Sequence, residues 1–177
     1  MTAGYPVPAG RRQIELGVRR SRFIATLDRA PTVAAARGLL AEMRGTYPDA
    51  THHVHAFAIG HGASVTHGAS DDGEPSGTAG APTLAVLKGS CLGDACIVTT
   101  RYFGGTKLGT GGLVRAYSDA ARMVLAEAPV TRRQDWVRGI VDAPYPLYEA
   151  VARLVGNHGG RVEGEDFGPT VTLTFLI

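Results

Sequence analysis

Apolar and polar positions alternate from the first strongly patterned stretch of the chain. Ile14, Leu16 and Val18 are separated by polar or small residues, which predicts a half-buried strand, and residues 22–27 can supply its hairpin partner. The period then changes. Val33, Ala36, Leu39, Leu40 and Met43 share one helical face after Pro31-Thr32, and the helix ends near Arg44, before Tyr47-Pro48-Asp49. Alternation returns over 53–59, followed by a turn at His61-Gly62 and a short, weak strand at 64–67. Residues 70–80 are too rich in glycine and turn formers for a regular element. A short helix is expected at 82–87 and a β-branched central strand at 95–102. Residues 104–112 hold five glycines in nine positions and predict a second long loop. Leu113, Ala116, Tyr117, Ala120, Met123 and Val124 line one side of a helix over 113–127, which Ala128-Pro129 stops.

Polar residues 131–135 predict a linker. Beyond it the pattern reads strand (136–141), helix (147–157), strand (161–167) and strand (170–176), with Gly156-Asn157-His158-Gly159-Gly160 as the helix stop. This order is the first three-quarters of a ferredoxin-like unit, without its last helix and strand. The expected organisation is a loose tail at 1–11, where Gly4, Pro6, Pro8 and Gly10 fall, a main domain at 12–130, and a small domain at 135–177.

Composition narrows the function classes. The net charge of +2 is too small to argue for nucleic acid by itself, so such a case needs local clustering. No apolar run approaches the roughly 18–20 residues that span a bilayer, and no signal-type apolar segment opens the chain. A soluble, cytoplasmic protein with no membrane partner is expected. Cys91 and Cys96 fit no zinc spacing and read as reduced thiols.

The glycine-rich stretch after the 95–102 strand opens a helix, the setting in which phosphate sites occur. It fails the named fingerprints. Lys107 follows Thr106 and precedes Leu108, which breaks the P-loop pattern, and Val114 stands where a dinucleotide loop needs Gly or Ala. No nucleotide cofactor is therefore expected. Gly109, Gly111 and Gly112 allow close backbone approach, and Arg101, Lys107 and Arg115 lie on or near the same loop. These residues fit a phosphate or carboxylate seat and fit equally a tight strand-to-helix turn.

Asp71, Asp72 and Glu74 put three carboxylates on the first loop. Without EF-hand spacing, solvation or pairing with Arg101 or Lys107 is expected rather than metal binding. Ser76 or Thr78 is a candidate cap for the next helix. His53 and His55 share a strand face but have no third ligand nearby, so packing or hydrogen bonding is their expected role. No nucleophile elbow is present, and no catalytic residue is assigned.

Two strings are distinctive as wholes: Ser70-Asp71-Asp72-Gly73-Glu74-Pro75-Ser76-Gly77-Thr78-Ala79-Gly80, and the run from Thr100-Arg101-Tyr102-Phe103-Gly104-Gly105 through Tyr117. Both closely resemble the central signature of the YigZ/Impact family. Glu15, Ser21-Arg22-Phe23 and Pro48-Asp49-Ala50-Thr51-His52 fit its N-terminal part. The resemblance covers 12–128 well and the region from Trp136 less distinctly. It implies an α+β fold, with an N-terminal β-α sandwich like that of a small-subunit ribosomal protein and domain IV of elongation factor G, then a short ferredoxin-like β-α-β-β unit. It also implies a setting in translation, because eukaryotic relatives act in translational control. Ala81 departs from relatives that carry Lys or Arg there, which weakens anion binding at the 77–82 turn.

The leading expectation is a non-enzymatic binding protein linked to translation or its regulation. It would contact RNA, the ribosome or a translation factor, with Arg19, Arg20, Arg22, Arg132 and Arg133 as further cations. A second reading is a small-molecule binder or enzyme with a pocket between loops 70–80 and 103–112. There Arg101, Lys107, Gly109, Gly111, Gly112 and Arg115 would hold an anion such as a phosphate-bearing ligand, and Asp71, Asp72 and Glu74 would be the pocket acids. A third is a structural module using an exposed sheet edge.

Overall fold

The computed structural model describes residues 4–177. The chain divides into two units, one ending at Arg133 and one formed by Gln134–Ile177.

The larger unit opens with β1 (Tyr5–Pro8), β2 (Arg12–Val18) and β3 (Ser21–Arg29), followed by α1 (Val33–Thr46). Next come β4 (His52–Ile59), β5 (Thr66–Ser70), α2 (Gly80–Gly89), β6 (Ala95–Tyr102), α3 (Gly109–Ala126) and β7 (Val130–Arg133). Five of these strands form an antiparallel sheet in the order β2-β3-β6-β4-β5. β6 lies at its centre and is buried along its whole length except Tyr102. Its alternation therefore serves two cores. Ile97 joins Phe23, Leu27, Val54, Leu87, Leu113 and Tyr117 beneath α2 and α3. Cys96 and Val98 meet Ala36, Leu39 and Met43 of α1 on the other face. Phe23 and Tyr117 pack edge to face, with ring centroids 5.1 Å apart. Thr32 caps α1 by accepting the Ala35 amide at 3.1 Å.

Several local expectations are corrected. Residues 1–3 of the expected loose tail lie outside the described residues, but Tyr5–Pro8 is a strand. It pairs antiparallel with β7, in the polar stretch read as a linker. Pro6 and Pro8 tolerate this because they alternate with Tyr5 and Val7. Pro6 turns away from β7, its carbonyl accepting the Gly93 amide at 2.9 Å. Buried Asp94 holds the ribbon in place, accepting from the Tyr5 hydroxyl at 3.0 Å, Arg133 at 2.7 Å and the Gly60 amide at 2.9 Å. α3 begins at Gly109 rather than 113, so Gly109, Gly111 and Gly112, three of the five glycines assigned to a loop, occupy its first turn.

The smaller unit contains β8 (Arg138–Ala143), α4 (Tyr145–Asn157), β9 (Arg161–Phe167) and β10 (Val171–Leu176). Its sheet is antiparallel in the order β8-β10-β9, with a bulge between Thr174 and Phe175. Ala143, Val155, Val171 and Leu173 are its buried apolar residues. The fold is α+β: a β-α sandwich followed by a ferredoxin-like β-α-β-β unit.

Candidate functional site

Arg101 is the last buried residue of β6, and its side chain is 5% exposed. Its Cζ lies over two aromatic rings, 5.3 Å from the Phe23 centroid and 5.6 Å from that of Phe103. Its Nη1–H donates to Glu74 Oε1 at 2.6 Å, and Nη2–H reaches Ser21 Oγ at 3.4 Å. Nε is buried without a hydrogen-bond partner. The Tyr117 hydroxyl donates to the same Glu74 oxygen at 2.7 Å. Burial, aided by the Glu74 carboxylate, pushes the Tyr117 phenol far above its ordinary range, so it remains a donor throughout the physiological range. His52 Nδ1 lies 2.8 Å from the Asp72 carbonyl and donates to it, while Nε2 stands 3.8 Å from Glu74 Oε2.

Arg101, Glu74 and His52 line a cleft of about 470 Å³ together with Phe103, Lys107, Gly109 and Thr110. The two glycine-rich loops therefore lie side by side, joined by the Arg101–Glu74 pair. α3 begins at this cleft with no side-chain cap, and Gly109 has φ of +74°, a turn that strains any residue with a Cβ.

The three pocket acids take separate roles. Only Glu74 lines the cleft. Asp71 caps α2, accepting amides of Gly77 at 2.8 Å, Ala79 at 3.0 Å and Gly80 at 2.8 Å. Partial burial opposes ionisation of Asp71, but the three amides outweigh it and hold the carboxyl below its usual value. This overturns the assignment of capping to Ser76 or Thr78, for neither side chain caps α2; Thr78 instead donates to the Pro75 carbonyl. Asp72, at φ of 45°, accepts the His53 amide and pairs with Arg44, both at 2.6 Å. Its burial is likewise outweighed, and its carboxyl is held low. Among the described residues, no three His, Cys, Asp or Glu side chains come together to hold a metal. His53 lies 3.1 Å from Thr100 Oγ1, and burial lowers the affinity of both His53 and His55 for a proton. Burial pushes the Cys96 thiol up to about 12.

The six residues expected to hold an anion are divided as well. Arg101, Lys107 and Gly109 line the cleft, and Arg101 is already paired there with Glu74. Gly111, Gly112 and Arg115 line a neighbouring hollow of about 450 Å³ with Arg19 and Asp119, and Leu108 lines both. The turn between β2 and β3 is pressed against the second loop. A Cβ on Gly104 would fall 2.1 Å from the Arg20 carbonyl, so only glycine permits the approach. Arg19 and Arg115 thus line one hollow beside the start of α3 and Lys107 lines the cleft next to it, while Arg20 lies in the β2–β3 turn against Gly104. Among the described residues none of the four has an ion-pair partner, whereas Arg22 is paired with Glu15 at 2.7 Å and Arg122 with Asp119 at 2.8 Å. Sequence reasoning missed Tyr117, His52 and Ser21 as groups around the buried pair. Tyr117 reads as one more apolar position of its helix, although it closes the second distinctive string.

The comparisons with known proteins agree with this architecture. The model of the Impact N-terminal domain matches residues 19–125, which include both loops. The chain is 36% identical to the IMPACT family member YigZ of Escherichia coli (strain K12) over 168 residues, covering 94% of this chain and 82% of that protein. It is 44% identical to the IMPACT family member YvyE of Bacillus subtilis (strain 168) over 120 residues, covering 68% of this chain and 55% of that one. A crystal structure described as that of a hypothetical protein superposes with a TM-score of 0.75 at 34% identity, covering 100% of this chain and 86% of the other. The chain belongs to the Impact family, and the cleft between its glycine-rich loops lies within the family's N-terminal domain.

Proposed function

We propose that the protein is a binding protein of the translation apparatus that contacts RNA phosphates on the ribosome through the basic end of its larger unit. The carrying observation is that Arg19, Lys107 and Arg115, without ion-pair partners among the described residues, line two adjoining hollows at the uncapped start of α3, with Arg20 in the turn packed against the same loop. Free cations and free helix amides both favour phosphate oxygens, and the exposed ring of Phe103 adds a stacking surface. Family membership supports the translational, cytoplasmic setting. The arrangement has no base-reading element, so binding follows charge and shape rather than sequence. The test is binding of labelled ribosomal RNA and small ribosomal subunits across a salt series. Affinity falls as salt rises, and replacing one of the four cations reduces the log–log slope by about 1. Undetectable binding at about 50 mM salt, or binding indifferent to salt, overturns the proposal.

A second reading is favoured by the buried, unpartnered Arg101 Nε and the room beside it: the cleft takes a small phosphate- or carboxylate-bearing ligand. Glu74 already neutralises Arg101, so Lys107 and the α3 amides would supply the attraction. Calorimetric titration of phosphate into wild type, Lys107→Ala and Arg115→Ala separates the readings. A cleft ligand loses about tenfold in affinity with the Lys107 variant alone, since Arg115 lines the other hollow.

A further inference from the structure

β8 forms one edge of the smaller unit's sheet, with β10 on one side and no described strand on the other. Val137 and Ile177 exchange both main-chain hydrogen bonds, at 2.8 and 3.0 Å. The antiparallel register continues from this pair through Arg138↔Leu176 to Ala143↔Val171. Hydrogen bonding alternates along such a ladder, so residues 139, 141 and 143 turn their N–H and C=O groups toward β10. Those of Arg138, Ile140 and Asp142 point outward along the free edge. The side chains of these same three residues share one face of the strand. Ile140 is 69% exposed and the Arg138 side chain 68% exposed.

We propose that the protein self-associates through this edge, two copies of β8 pairing antiparallel about Ile140 to make a six-stranded sheet. The sequence of the edge is self-complementary in that register. Ile140 meets Ile140 of the second copy across the two-fold axis. Arg138 of each copy faces Asp142 of the other, and each pair of outward-facing residues exchanges two main-chain hydrogen bonds. Moving the axis to Gly139 or Val141 keeps outward groups opposed but sets Arg138 or Asp142 against Ile140, so charge selects the register. Arg138 already bonds Glu163 at 2.9 Å, and Asp142 accepts from Thr172 at 2.6 Å, contacts that hold both side chains on the sheet face where the second copy meets them. The opposite edge behaves differently. β9 carries Glu163, Glu165 and Asp166, so pairing with its own copy would set carboxylates against carboxylates.

The interface is small, so a dissociation constant on the order of 10–100 µM is expected. Sedimentation equilibrium on the full chain, up to about 1 mM, measures it. Asp142→Arg sets arginines against arginines and weakens association at least tenfold, and the charge swap Arg138→Asp with Asp142→Arg restores it to within about threefold. Ile140→Pro removes an outward N–H that β10 does not use. It abolishes the dimer while circular dichroism stays unchanged; if that variant unfolds, the charge swap decides. A wild type that stays monomeric, an Asp142→Arg variant that still dimerises, or a swap that fails to restore pairing overturns the proposal.

Discussion

In the larger unit both faces of the sheet are covered, by α1 on one side and by α2 with α3 on the other, and β6 is buried between them. In the smaller unit α4 is the only helix, and Val137, Ile140, Leu147, Leu154 and Phe167 are all more than half exposed. The first arrangement can hold a charged pair almost wholly buried beside the cleft because the packing around it fixes its partners. The second leaves apolar residues and strand edges at the surface, where another chain can reach them. Buried charge is concentrated in the covered sheet, and exposed apolar surface in the open one.

The contrast can be broken most forcefully at Glu74. Glu74→Ala leaves the Arg101 guanidinium buried without a counter-charge. It should destabilise the larger unit by about 3–5 kcal/mol in urea denaturation, while the smaller unit keeps its transition. Leu173→Ala should cost the smaller unit about 2–5 kcal/mol. A unit of about 44 residues has roughly 2–7 kcal/mol to lose, so hydrogen exchange should show β8–β10 opening while β6 stays protected. If the variant lowers protection in both units together, their independence is lost.

Tyr117→Phe removes one charge-assisted hydrogen bond to Glu74 and keeps the ring packing on Phe23. About 1.5–3 kcal/mol is the expected cost, read as a shift of the urea midpoint with an unchanged slope. Asp71 gives a smaller, pH-dependent effect. Its folded value lies below the ordinary carboxylate value of about 3.9, so its stabilisation is complete above that value. The stabilisation is lost as pH falls through the lowered folded value. Asp71→Asn should therefore cost about 1 kcal/mol at neutral pH and make the fall of the melting temperature between about pH 5 and 2 less steep. Lys107→Ala should change stability by less than about 0.5 kcal/mol, and its effect should appear only in RNA binding.

Periodicity marked out every helix and strand of the smaller unit and most of the larger, because side-chain burial repeats every two residues in a strand and about every 3.6 in a helix. The distinctive strings at 70–80 and 100–117 identified the family. Element ends were less legible. α3 starts four residues before its apolar stripe, because Gly109, Gly111 and Gly112 enter the helix without contributing to that stripe. β1 was hidden by its prolines and β7 by its charges, since pairing with each other and anchoring on Asp94 outweigh local composition.

The sequence by itself thus determined most of the element order and the family. These depend on local spacing and on whole strings of residues. Only the tertiary structure decided which charges are free. Arg101 stands 27 positions from Glu74 and Tyr117 stands 43, and no local spacing announces that one carboxylate serves both. The same holds for Asp71, Asp72 and Glu74. They fall within four residues of one another, yet a helix start, an arginine of α1 and the buried guanidinium draw them in three directions. A charged group's partner is set by where the fold carries its head group, and for these residues that is decided by sheet register and helix packing rather than by neighbours along the chain.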